Sequence, residues 1–149
     1  MRALIFLFIF SVSSFSFSQK KYDKTFKNID DKKNYYSSIA QDIWSFAEMG
    51  YQEEKSSNLL KKILSEQGFN IKSGVANIPT AFIASYGKGF PIIAILGEYD
   101  ALPGLSQKRV PYKVSSGAKA GHACGHHLFG TASAAAAIEI KNYLKTKKK

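Results

Sequence analysis

Apolar residues recur along the first half of the chain at the spacing of a helix, then switch to the spacing of strands. After Tyr35, the residues Ile39, Ile43, Phe46 and Ala47 fall at i, i+4, i+7 and i+8, which puts them on one helical face, and Gly50 is placed to end the helix. A second helix over about residues 53–67 carries Leu59, Leu60, Ile63 and Leu64 on one stripe and stops at Gly68. Residues 70–76, 80–86 and 92–96 read as strands, with Pro79 and Gly87-Lys88-Gly89 as breaks. The glycine turn predicts a hairpin between the last two. Ile92, Ile93, Ala94, Ile95 and Leu96 are apolar without alternation, the pattern of a strand covered on both faces in a layered α/β sheet. Such a strand delivers Gly97-Glu98-Tyr99-Asp100 to its carboxyl end, where open α/β sheets place their ligands. Residues 101–121 form a long loop with Pro103, Gly104, Pro111 and Gly117, and a structureless stretch of that length is functional or disordered. A small-residue helix through Ala132 to Ala137, Ile138 and Leu144 follows.

The two ends have a different texture. Met1-Arg2 is a basic start, Ala3 to Phe10 is apolar, and a serine-rich stretch leads to Ser18. This predicts a signal peptide over residues 1–18, with Ser16 and Ser18 as the small residues before a cut at Gln19. Ser11, Ser13, Ser14 and Ser16 break the run well short of the roughly 20 apolar residues that span a bilayer. The expectation is export, periplasmic or secreted, with no membrane attachment after cleavage. Residues 19–34 are polar and without period, and read as a linker.

Composition adds bounds rather than a function. A length of 149 residues with 45% hydrophobic and 21% charged residues fits one globular domain. The formal charge of +10 gathers at the ends, in residues such as Lys20, Lys21, Lys147 and Lys148, and no aromatic-interleaved basic motif points to nucleic acid. Cys124 is the single cysteine, so the fold holds by packing and not by an intrachain disulfide.

The chemistry concentrates in Gly121-His122-Ala123-Cys124-Gly125-His126-His127, which holds the one cysteine and all three histidines. Thiolate and imidazole suit zinc and similar ions. A Cys-x-His pair in extended backbone points both side chains the same way, so Cys124 and His126 can hold metal together, and a helix starting just after them favours the thiolate. The bland alternative is a buried cysteine beside incidental histidines, which the clustering makes the weaker one. His122 and His127 read as supporting, substrate-facing or plain surface groups. Asp100 either caps the Ala-Leu-Pro-Gly turn or orients a metal ligand from outside the coordination sphere, and the residues alone leave both open.

Three segments carry a family likeness: IWSFAEMGYQEEKSS at 43–57, GVANIPTAFIASYGKGFPIIAILGEYDALPGLSQ at 74–107 and GHACGHHLFGTASAAAAIEIK at 121–141. Together they resemble the N-terminal catalytic region of the amidohydrolase branch of peptidase family M-twenty, above all its p-aminobenzoyl-glutamate hydrolase and dipeptidase-like members. The resemblance implies an α/β fold: a partial three-layer zinc-exopeptidase-like catalytic domain over residues 35–149, with two N-terminal helices, about three strands and a C-terminal helix. The remaining catalytic region and an inserted dimerisation domain, through which such enzymes form homodimers, are expected beyond it. By the same resemblance Cys124 and His126 fall on metal-ligand positions and Asp100 on the aspartate that supports the site. Glu98 stands where relatives outside this branch carry a metal-binding histidine, and His127 where relatives have Asp or Asn, so both, with His122, are expected around the metal.

The implied reaction is hydrolysis of an amide bond in an N-acyl amino acid or dipeptide-like substrate, using a divalent metal, zinc or manganese, and a glutamate from a later strand as general base. Glu139 lies inside the last helix and does not match that glutamate. The chain by itself is therefore expected to be inactive. The competing expectations are a non-catalytic exported metal-binding or interaction module and a basic surface-binding protein.

Overall fold

The computed structural model describes residues 22–147. Among them helices α1 (Asp23–Asp31), α2 (Lys33–Phe46) and α3 (Glu54–Glu66) come first. Strands β1 (Asn70–Ser73) and β2 (Phe82–Ser85) follow, flanking a 3-10 turn at Val75–Asn77. Then come β3 (Leu102–Pro103), β4 (Ala120–Gly121) and the long helix α4 (His126–Lys147). The fold is mixed α/β, as the sequence pattern and the resemblance imply. The predicted signal peptide lies outside the described residues, and no helix among them is long and apolar enough to cross a membrane.

The helical periodicity places the core correctly. Ile39 and Ile43 from α2, Leu60, Ile63 and Leu64 from α3, and Ala134 and Ile138 from α4 form one buried cluster. Helix α2 ends three residues earlier than Gly50 predicts. Ala47 itself takes the left-handed conformation (φ 45°), and its N–H closes on the Ile43 carbonyl. At the end of α3, Gly68 (φ 82°) does what its sequence position suggests: Gly68 N–H bonds Ser65 O and Phe69 N–H bonds Leu64 O, which satisfies the last carbonyls of the helix.

Helix α1 occupies the stretch whose composition reads as linker. Its stability comes from afar, through Glu139 on α4, a carboxylate only 2% exposed. Asn28 Nδ2 donates to Glu139 Oε2 at 3.1 Å and Lys32 Nζ to Oε1 at 3.3 Å. Such tertiary anchors leave no periodic trace in sequence. Glu139→Ala is expected to cost about 2 kcal/mol, since hydrogen bonds to a buried charge are lost while the partly exposed Lys32 returns to water. Amide exchange in α1 should rise well above that in α3; equal protection in the variant and the parent would show that Glu139 does not hold α1.

The predicted hairpin is not formed. Strand β2 pairs instead with β1, antiparallel, in the register Asn70↔Ser85 through Ser73↔Phe82, and residues 92–96 are not a strand. Phe90, Ile92, Ile93 and Leu96 are exposed. A run that is apolar on both faces needs a strand on each side and a layer above and below, and among the described residues nothing lies beside it to accept that pairing. Only its end is tied down, where Ser133 Oγ on α4 donates to the Leu96 carbonyl at 2.6 Å.

The 101–121 loop is closed at its base by the β3–β4 ladder, Leu102↔Gly121 and Pro103↔Ala120, and by Gly104 N–H to Lys119 O at 2.7 Å. Its tip is ordered by one side chain. Gln107 Nε2 donates to the carbonyls of Lys108 (2.9 Å) and Tyr112 (2.8 Å), and Gln107 Oε1 accepts from Val114 N–H at 3.2 Å.

Candidate metal centre

Residues 98–100 run extended, so Glu98 and Asp100, two positions apart, project to the same side. Two contacts fix this segment. Ala101 N–H donates to the Glu48 carbonyl at 2.7 Å, while the Glu48 carboxylate caps the N-terminus of α3 through Lys55 and Ser56 N–H, both at 2.9 Å. On the other side Gly130 of α4 lies so close that a Cβ there would stand 2.6 Å from the Glu98 carbonyl oxygen. The helix therefore presses directly on the backbone that carries both carboxylates.

His126 is the first residue of α4, and Gly125 (φ 84°) turns the chain into it. The imidazole sits between the two acids, with Nδ1 2.8 Å from Asp100 Oδ1 and Nε2 2.9 Å from Glu98 Oε2. One donor atom from each of the three residues lies within 4.8 Å of the others. A neutral imidazole carries a single N–H, so one of its two contacts sets a ring lone pair against a carboxylate oxygen. A divalent cation fits that gap. Two carboxylates and an imidazole are also the donor number and type of an open catalytic site, in which three protein ligands leave room for water.

The structure places the sequence candidates unevenly. Asp100 and His126 are in direct contact. Glu98, expected around the metal, joins them as a full member of the cluster; the signal for it was the two-residue alternation with Asp100. Cys124 is exposed and outside the cluster. The alternation that would align it with His126 is broken, because residues 123–124 form a turn, Gly125 has positive φ and the helix begins at His126.

His122 is buried, with Nε2 3.1 Å from the Ile43 carbonyl, and so ties the motif to the end of α2. Its ring lies 4.9 Å from that of His127, and the Nδ1 atoms of both are buried without a partner. Burial holds both imidazoles below their ordinary range, His127 down to about 4 with the neighbouring His122 adding to the effect. Both are therefore neutral near pH 7.

No protein-family model matches the chain. Among curated proteins, one of the subunits of p-aminobenzoyl-glutamate hydrolase from Escherichia coli (strain K12) is 47% identical over 119 residues, which cover 78% of this chain and 24% of that protein. The chain belongs to the amidohydrolase branch of peptidase family M-twenty. Other members of this branch give the same picture. IAA-amino acid hydrolase ILR1-like 5 of Arabidopsis thaliana is 30% identical over 124 residues, covering 80% of this chain and 28% of the relative. Xaa-Arg dipeptidase of Mus musculus is 28% identical over 130 residues, covering 80% and 27%. The chain thus spans about a quarter of the length of the curated relatives it matches. The family is metal-dependent, and the cluster of Glu98, Asp100 and His126 is a donor set of the kind such an enzyme requires.

Proposed function

We propose that this chain contributes one face of the active centre of a metal-dependent amidohydrolase that cleaves the amide bond of an N-acyl amino acid or dipeptide-like substrate. The supporting observation is the contact of one imidazole with two carboxylates at the N-terminus of α4. Glu98, Asp100 and His126 would hold a divalent ion, zinc or manganese, with Cys124 as a further donor once the turn before Gly125 rearranges. The ion would supply Lewis acidity to the amide carbonyl and to water. Asp100 orients the imidazole through Nδ1, and α4 fixes the approach of both acids through Gly130. Glu139 is engaged with Asn28 and Lys32 and serves packing, so the general base is proposed to come from the part of the family's length not matched here. On this proposal the chain alone does not turn over substrate. Export with a cut near Ser18, and homodimer formation through a further domain, belong to the same proposal.

The test is a chimera in which this chain replaces the matching segment of the Escherichia coli relative. The chimera is expected to hydrolyse p-aminobenzoyl-glutamate, and Asp100→Asn within it to lose about 100-fold in rate, the upper end for loss of a group that orients a metal ligand. A folded, metal-loaded chimera without activity, or one indifferent to Asp100→Asn, would count against the proposal.

A further inference from the structure

A cavity of about 480 Å³ opens between α2, the ordered tip of the 101–121 loop and the first turn of α4. Its size is that of a small-molecule site. Trp44 and Pro111 supply flat apolar wall, Lys108 and Arg109 stand on the loop side, and His127 forms part of the floor. No acidic side chain lines it. Arg109 Nη1 donates to Gln41 Oε1 at 3.0 Å, which fixes the guanidinium across the gap between loop and helix yet leaves its charge unneutralised. The loop that presents both cations is held by the three hydrogen bonds of Gln107, so these charges are positioned rather than carried on a free tail.

The lining selects a ligand class. A fixed guanidinium with unused N–H groups pairs with a carboxylate in two-pronged fashion. A half-buried indole offers a face for a second ring. His127, neutral near pH 7, adds no further cation and contributes apolar ring surface. We infer that this cavity binds an aromatic carboxylate, with the ring against Trp44 and Pro111 and the carboxylate on Arg109, assisted by the field of Lys108. His127 directly follows His126, so the cavity starts one residue from the metal centre. Its relevance to catalysis rests on the hydrolytic reading of that centre, in which it would receive the aromatic portion of the amide substrate. Binding itself needs no metal.

Trp44 is the single tryptophan of the chain, so its emission reports on this cavity alone. Titration of the full chain with N-benzoylglycine is expected to quench that emission saturably, in the presence of a chelator as well as without it. Acetate lacks the ring and benzamide lacks the charge, and each should bind about tenfold more weakly. Arg109→Gln should weaken N-benzoylglycine by about tenfold with unchanged circular dichroism, and Lys108→Gln by less. Quenching that never saturates, or affinity indifferent to Arg109→Gln, overturns the inference. Zinc binding without such quenching would reject the cavity and spare the metal centre, while quenching without zinc binding would do the reverse.

Discussion

His126→Ala is expected to lower the affinity of the chain for zinc by at least about 100-fold, beyond what loss of a merely supporting group costs. The imidazole is the one member of the cluster that touches both others, at 2.8 Å and 2.9 Å. Without it two carboxylates remain, on side chains 44% and 32% exposed, where water competes for any ion they attract. Isothermal titration of the metal-free protein measures the change. Cys124→Ser in the same experiment weighs the thiol: a loss near that of His126→Ala would make it a donor of equal rank, whereas a negligible change would leave the centre to the two acids and the histidine. Equal zinc affinity in His126→Ala and the parent chain would remove the centre altogether.

Gly121→Ala is expected to destabilise the fold by about 3 kcal/mol, the upper range for forcing atoms into a filled site. A Cβ at Gly121 would run into the Leu105 carbonyl oxygen and stand 2.9 Å from Ser106 Cα. Both obstacles are backbone, so no rotamer change relieves them. The loop strand has to move, and with it the Leu102↔Gly121 pair that closes the loop and the approach to His122. Gly117 is the control: its φ of 80° disfavours other residues, but nothing lies within 4 Å of its Cβ position. Alanine there should cost about 1 kcal/mol from backbone strain alone. Urea midpoints of the two variants separate collision from strain, and a Gly121→Ala midpoint no lower than that of Gly117→Ala would show that the loop yields freely.

Local pattern made some of this molecule legible in its sequence and left the rest hidden. Ile39, Ile43, Leu60, Ile63 and Leu64 announce themselves because an amphipathic helix writes its buried face at a fixed spacing. Helix α1 does not, because its hold on the fold is a polar contact to Glu139 more than a hundred positions away. The Gly87-Lys88-Gly89 turn suggested the wrong strand pairing for the same reason: a turn says where a chain can bend, and the choice of neighbour is made by tertiary packing. At the site, Asp100 and His126 stood out through short, chemically dense motifs. Glu98 gained its place only when the extended backbone aligned it with Asp100. The geometry of Cys124 turned on the sign of one dihedral at Gly125, which residue types do not specify. The Trp44 cavity was invisible for a further reason, since its walls are joined by Gln41 and Arg109, 68 positions apart.

The uncovered stretch at residues 90–96 sets two long-known colloidal forces against each other. Phe90, Ile92, Ile93 and Leu96 offer adhesive surface that added electrolyte does not weaken, while a net charge of +10 drives copies apart. That repulsion reaches only about 10 Å at 0.1 M ionic strength and about 3 Å at 1 M. Dispersal of this protein is therefore governed by ionic strength: dilute buffer keeps molecules separate, and brine brings the greasy stretch of one within reach of the next.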